Sequence, residues 1–269
     1  MKIEKSSSSR YILGLCLLLL LVSGCATRPA ARCDEGTTIF QARKPVSEFV
    51  KKDVIHPIDA YDPWECFNRE MYKFNYYFDR YLFLPIVGVY EWILPNYVQD
   101  RLSGIFNNIE ELSNLTNNLL QLKGKGTAIT TGRIIVNTTV GLAGMYDPAK
   151  KWGMPEYDED FGQTLGYYGV GPGPYLVLPV LGPSSLRDTT GLAVDATVRY
   201  LFWDWLWDDG PFENVSGGNE SKIRWSLATI ETIDARHRID FRYYQSGSPF
   251  EYDFVRKIYL EKRKIDVAK

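Results

Sequence analysis

Hydrophobic positions along this chain form one continuous run and then several periodic ones. Lys2, Lys5 and Arg10 precede an apolar stretch from Tyr11 to Val22, which ends in Ser23 and Gly24. A charged start, a short greasy middle and small residues are the layout of a secretory signal, and the stretch falls short of the roughly 20 residues that cross a bilayer as a helix. Residues 1–24 are therefore read as a leader that is removed. Residues 25–60, with Pro29, Gly36, Pro45 and Pro57 and no sustained period, read as a tether to a folded body.

The body opens at Asp62-Pro63-Trp64-Glu65, which predicts a helix start with Asp62 as N-cap, Pro63 in the first turn and Glu65 closing a capping box. Phe67, Met71, Phe74, Phe78 and Tyr81 then recur at steps of four and three, one face of a helix. Tyr72, Tyr76, Tyr77 and Phe83 make its other side aromatic too. A helix apolar nearly all round is either deeply buried or touches lipid. Tyrosines want one wet end and suit a membrane interface, with an aromatic core helix as the alternative.

A second helical period runs through Val98, Leu102, Ile105, Ile109, Leu112, Leu115 and Leu119, flanked by Asn107, Asn108, Asn114, Asn117 and Asn118, and stops at Lys123-Gly124. Residues 127–145 leave helix and strand open, although Gly132, Gly141 and Gly144 would let helix backbones approach closely. From Asp160 to Asp188, closely spaced glycines and prolines predict an irregular path around the short apolar insert Tyr175 to Leu181. Trp203, Trp205 and Trp207 follow, suited to a headgroup boundary or to a core. Residues 221–269 read as amphipathic helices broken near Gly247-Ser248-Pro249.

Charge and chemistry narrow the function mainly by exclusion. The net charge is −2, more acidic once the cationic leader is gone, which argues against nucleic acid as a partner. His56 falls in the tether and His237 in a charged helix, and Cys33 and Cys66 lack CxxC spacing, so no metal site is expected. Ser184 and Ser185 do not complete a Gly-x-Ser-x-Gly elbow and read better as a helix cap. Gly169 to Pro174 lacks the Lys-Ser/Thr of a phosphate loop, and Asp158-Glu159-Asp160 reads as a helix start or a solvated turn rather than a calcium loop. No catalytic residue and no cofactor is expected, and an enzyme is disfavoured. Cys16 leaves with the leader; Cys33 and Cys66 could form a disulfide in an oxidising compartment or remain two thiols.

Two resemblances give these features a common setting. Leu21-Val22-Ser23-Gly24-Cys25 resembles the lipobox of bacterial lipoproteins, which implies cleavage before Cys25 and lipidation of its thiol. Two or more acyl chains make an effectively permanent anchor. Ala26 after the cysteine implies the outer membrane. Asp62, Pro63, Trp64, Glu65, Phe67, Asn68, Arg69, Met71, Tyr72, Phe74 and Asn75 match in order the opening signature of the MlaA (VacJ) lipoproteins. Asp160 to Gly166, Gly169 to Tyr175, Gly182-Pro183-Ser184, Arg187-Asp188, Arg256, Tyr259 and Arg263 match further on.

That resemblance implies an all-α fold over residues 61–263 with 264–269 as a tail: a flattened ring of helices with irregular Gly/Pro segments around a central amphipathic channel. The ring would lie in the inner leaflet of the outer membrane, on its periplasmic side. It would take mislocalised phospholipid from the outer leaflet and pass it to a soluble periplasmic lipid carrier, held in place by a trimeric porin. Phe74, Asn75, Phe161 and Gly162 are the expected channel or gating residues, each equally readable as packing. The rival is a non-transporting scaffold lipoprotein bound to porins.

Overall fold

The computed structural model describes residues 61–208 and 220–269. Helix α1 (Glu65–Phe78) runs through a wider π-type turn (Asp79–Phe83) into α2 (Leu84–Ile93). There follow α3 (Asn96–Leu120), α4 (Gly124–Thr139), the short α5 (Pro148–Lys151) and α6 (Phe161–Tyr167). A hairpin of β1 (Tyr175–Leu178) and β2 (Gly182–Ser185) leads into α7 (Leu186–Asp208), and α8 (Glu220–His237) and α9 (Glu251–Ala268) close the chain. Among the described residues the fold is all-α apart from that hairpin. Residues 127–145 turn out helical as far as Thr139, and the break expected near Gly247 widens to the whole stretch between α8 and α9. Residues 264–268, set apart above as tail, continue α9. Cys25, Cys33, His56 and the tether lie outside the described residues.

The start of α1 differs from the capping box expected. Helix begins at Glu65 behind Trp64. The Asp62 carboxylate does accept the Trp64 N–H (3.2 Å), but Glu65 does not fold back on it; its carboxylate takes the Arg69 guanidinium at 2.7 Å. A charge-assisted bond outcompetes a neutral amide for the same oxygen. At the α1–α2 junction Pro85 has no N–H to give the preceding turn, and the helix accommodates it by the wide turn at 79–83. Asp79 in that turn is buried and held by both guanidinium arms of Arg236, at 2.6 and 2.7 Å.

Which face is inside is the main departure from a water-soluble pattern. In α1 the buried residues are Asn68, Tyr72, Asn75 and Tyr76, while Phe67, Phe74, Tyr77 and, beyond it, Tyr81 are exposed. In α3 the asparagine flank is inside: Glu111, Asn114, Asn117 and Asn118 are buried and Leu119 and Leu120 exposed. In α4 Thr130, Arg133 and Asn137 form the buried stripe. Among the described residues, buried polar and charged side chains outnumber buried hydrophobic ones by more than two to one. A hydrophobic period marks an apolar face, and burial alone says whether that face looks in or out.

The interior is therefore joined by paired polar groups. Asn117 donates to Asp195 (2.9 Å) and accepts from the Thr164 hydroxyl (2.9 Å), while the other Asp195 oxygen takes the Phe161 N–H (2.9 Å). Gln121 donates to Glu159 (2.9 Å), which also binds Lys123 (2.7 Å). These bonds tie α3 to α6, to α7 and to the loop before α6. Every buried polar atom so paired avoids a desolvation cost of about 1–3 kcal/mol.

Helices α6 and α7 cross at two glycines. A Cβ on Gly191 would lie 2.2 Å from the Gly162 nitrogen and 2.7 Å from its Cα, so the backbones touch where no side chain fits. Arg263 of α9 clamps the crossing, binding Asp160 (2.6 and 2.9 Å) and Asp188 (2.8 Å), with the Tyr259 hydroxyl on Asp188 at 2.8 Å. Each aspartate also serves a helix start. Asp160 accepts the Gln163 N–H at 2.8 Å, and the Asp188 N–H donates to Ser185 at 3.1 Å while the Ser185 hydroxyl returns to the Asp188 carboxylate at 2.8 Å. Burial would raise both carboxyls, but Arg263, together with the hydrogen bonds from Gln163 to Asp160 and from Tyr259 and Ser185 to Asp188, more than reverses this and holds them below the usual carboxylate range.

Two outcomes follow. Gly191→Ala should lower unfolding stability by roughly 1–3 kcal/mol, because the obstructing atoms are backbone and cannot swing aside; denaturant unfolding of the detergent-solubilised protein measures it. Because the folded-state carboxyls of Asp160 and Asp188 are depressed, their stabilisation is complete at neutral pH and is lost as pH falls from about 4 toward their lowered values. Arg263→Met should cost about 3–5 kcal/mol at pH 7. Melting curves across pH 3–7 should show that deficit beginning to shrink above pH 4, where the stranded carboxyls raised by burial take up protons, and shrinking further as pH falls toward the lowered values of the wild type.

Candidate functional site

The segment that carries the opening signature builds one joint, between α1 and the hairpin. Strand β1 pairs with β2 along one edge, Tyr175 opposite Ser185 and Leu178 opposite Gly182. Its other edge is met by two asparagine amides. Asn68 donates to the Tyr175 carbonyl (3.0 Å) and accepts the Val177 N–H (2.8 Å); Asn75 donates to the Leu178 carbonyl (2.9 Å) and accepts the Val180 N–H (2.7 Å). A carboxamide offers the same donor and acceptor pair as a peptide group, so two asparagines seven residues apart imitate a strand. Between them Tyr72 inserts its ring among Tyr243, Tyr244 and Tyr252, and its hydroxyl donates to Glu251 at 2.9 Å.

Asn75 also holds a strained turn. Leu181 donates its N–H to the Pro179 carbonyl (2.7 Å), which puts Val180 at φ 67°, a left-handed conformation costly for a β-branched residue. Asp62 anchors the other end of the joint. Its carboxylate accepts from Asn68 (2.9 Å), from Arg256 (3.2 Å) and from the Tyr252 hydroxyl, whose pKa is raised by burial and by that carboxylate. Arg69 lies over the Tyr252 ring, 4.3 Å from its centre, and binds Asp253 at 3.0 and 3.1 Å. Pro63 and Trp64 form the turn that brings Asp62 in. Asp62, Asn68, Arg69, Tyr72 and Asn75 thus converge on one place.

The remaining sequence-predicted residues lie elsewhere. Phe67 and Phe74 are on the exposed side of α1, Phe74 stacked on Phe78. Phe161 and Gly162 belong to the α6–α7 crossing. Cys66 is disulfide-bonded; Cys33 and Cys25 lie outside the described residues. Ser184 meets Thr189 (2.9 Å), and Ser185 caps α7 as expected. His237, placed above in a charged helix, is hydrogen-bonded to Glu91 (2.8 Å), because α8 packs beside α2. Among the described residues, no cluster of three or more His, Cys, Asp or Glu side chains could hold a metal ion.

Two features were not anticipated residue by residue. The first is the extent of the apolar exterior: Leu82 in the turn before α2, Ile86, Val89 and Trp92 on α2, Leu119 and Leu120 at the end of α3, Leu122 after it, Val140 and Leu142 after α4, and Tyr200 and Leu201 on α7 are all exposed. Trp92 is 85% exposed, and the tryptophan cluster divides, with Trp205 51% exposed and Trp207 6%. No described helix is long and apolar enough to cross a membrane. The second is a polar cavity of about 170 Å³ between α3, α4 and the turn after α4. On its wall Arg133 binds Glu111, Asp147 (3.2 Å) and the Met154 carbonyl (3.0 Å). Burial pushes the Glu111 carboxyl up, against the downward pull of Arg133. Neither Asp100, Arg101 nor Glu156 of this cavity stands in any motif.

The profile of the MlaA lipoprotein family matches residues 60–266. An uncharacterized protein of Rickettsia felis is 39% identical over 133 residues, 49% of this chain and 53% of that protein, so the match spans about half of that relative. The intermembrane phospholipid transport system lipoprotein MlaA of Haemophilus influenzae is 35% identical over 178 residues, 65% of this chain and 66% of that one. Its namesake in Escherichia coli K12 is 33% identical over 209 residues, 75% and 76%. A solved structure described as the structural basis for maintenance of bacterial outer membrane lipid asymmetry aligns with a TM-score of 0.58 at 28% identity, covering 77% of this chain and all of its own. Since the profile runs from the turn before α1 to the last turns of α9, across every described element, the chain belongs to the MlaA lipoprotein family.

Proposed function

We propose that this protein is an outer-membrane lipoprotein that removes mislocalised phospholipid from the outer leaflet and hands it to a soluble periplasmic lipid carrier, so preserving lipid asymmetry. The observation that carries this reading is the inverted distribution of side chains, apolar outside and polar within. Such a body is stable where its surroundings are apolar, since exposed aromatic and aliphatic area of this extent would drive association in water. The proposed position is within one leaflet, which a lipid on Cys25 would set as the periplasmic one; no described helix is long and apolar enough to cross a membrane. Family membership and the phospholipid transport named for the relatives in Haemophilus and Escherichia support the cargo.

In this reading the helices surround a channel that a headgroup enters, and lipid moves down its gradient without a reaction. Phe74 and Phe161 are the side chains proposed to meet passing lipid. Asn75 and Gly162 keep the hairpin turn and the α6–α7 crossing in place around that path. A trimeric porin, seated on part of the exposed apolar surface, would fix the body's orientation.

Two measurements test the reading. In single-tryptophan variants reconstituted in bilayers, brominated acyl chains should quench Trp92 and Trp225, which is exposed on α8, strongly and Trp207 little; equal weak quenching at all three would remove the protein from the membrane. Cells lacking the protein should accumulate outer-leaflet phospholipid, read as lipid cleaved by phospholipase added outside, and wild type should reverse it. Unchanged outer-leaflet lipid with porin co-purification intact would instead support the scaffold reading.

A further inference from the structure

We propose that the cavity between α3, α4 and the turn after α4 binds the headgroup of a zwitterionic phospholipid, its phosphate against Arg101 and its ammonium toward Asp100 and Glu156. This rests on the phospholipid reading above and names the class of lipid.

The cavity is built at a cost in backbone strain. Leu142, Ala143 and Gly144 are consecutive left-handed residues, at φ 55°, 59° and 95°, and the first two carry side chains that disfavour this by about 1–2 kcal/mol each. Strain of this kind persists only where the surroundings impose it, and it concentrates at functional sites. Here it brings the turn onto α3, where a Cβ on Gly104 would come within 2.4 Å of the Gly144 carbonyl oxygen. The resulting space, about 170 Å³, is more than ten times the roughly 10–15 Å³ that one water needs.

Its charged groups fall into two sets. Arg133, Glu111 and Asp147 are committed to one another and to the frame, as described above. Arg101 is only half used. One arm donates to the Met145 carbonyl (2.8 Å), and the guanidinium lies 5.0 and 4.5 Å from the ring centres of Tyr97 and Tyr146, which join by their hydroxyls at 2.6 Å. The Arg101 Nε is shielded and makes no hydrogen bond. Nor does the shielded Asn108 Oδ1, although the amide nitrogen of that residue donates to Thr138 at 3.0 Å. Asp100 and Glu156, at the exposed edge, form no ion pair among the described residues.

The open groups are therefore one cationic donor, one neutral acceptor and two carboxylates. They match a ligand that carries an anion and an ammonium within a few bonds. The cavity lining holds two arginines against four carboxylates, so a purely anionic headgroup meets net repulsion. Val140, Leu142 and Met145 lie exposed on and beside the same turn, which provides an apolar way out for acyl chains.

The test uses the full lipoprotein in detergent, given equal amounts of phosphatidylethanolamine and phosphatidylglycerol with identical chains, with retained lipid quantified by mass spectrometry. Wild type should retain the ethanolamine lipid at least fivefold over the glycerol lipid. The double variant Asp100→Asn, Glu156→Gln, altered only at exposed side chains, should bring that ratio close to one, and Arg101→Leu should reduce retention of both lipids about tenfold. Excess inorganic phosphate should leave the wild-type ratio unchanged; displacement of lipid by phosphate alone would overturn the assignment by revealing a simple anion site. Retention of both lipids at a ratio the double variant does not move would also overturn it, while leaving phospholipid handling standing. Retention of neither lipid would overturn the transport reading itself.

Discussion

The open edge of β1 is the constraint on which the arrangement of this protein depends. A two-stranded hairpin has two unpaired edges, and a buried peptide group without a partner costs as much as a lost hydrogen bond. Asn68 and Asn75 close one edge from α1, which fixes both the rotation of that helix and its height along the strand. With the rotation fixed, Tyr72 must point at Glu251 and the tyrosines around it, and Phe67 and Phe74 must point away. Asp62 and Arg256 then tie the start of α1 to α9.

The same logic recurs in the other elements. Asparagines of α3 join α6 and α7, Arg133 joins α4 to α3, Arg236 joins α8 to the turn after α1, and Arg263 joins α9 to the α6–α7 crossing. In a water-soluble domain, burial of apolar area does most of this and polar groups are placed at the margins. Here apolar area is left outside, so cohesion comes from directional bonds and close backbone contact, as it does between helices in lipid. Directional bonds have one geometry that satisfies them. A frame held this way can enclose a polar cavity without collapsing, because its walls are fixed by pairing rather than drawn together by exclusion of water.

The cavity and the apolar exterior are two sides of that design. The turn after α4 carries Leu142 on its outer side and the Met145 carbonyl, which receives Arg101, on its inner side. A molecule with a charged head and greasy chains meets both within one stretch of backbone. This is why the proposed lipid class follows from α3, α4 and their turn rather than from the signature segment, whose polar groups are almost all committed to holding the joint.

The sequence by itself determined many of the elements, but it left helix and strand open over residues 127–145 and read the hairpin only as part of an irregular path. Helical periods, the stop at Lys123-Gly124, the serine and aspartate caps of α7 and α6, and the signature at Asp62 to Asn75 are local features, and the chain displays them directly. Tertiary structure decided orientation. Period tells that Phe67 and Phe74 share a face with Met71, and that the asparagines of α3 share another, but the same period fits a helix buried in a soluble core or one turned outward to lipid. Which face is inside depends on what lies across from it: the edge of β1, Asp195 or Arg256, partners roughly 80 to 190 residues away. Arg101, Asp100 and Glu156 were illegible for the same reason, since a cavity is a property of the space between α3, α4 and a strained turn. No spacing along one strand of sequence records a distance across that space.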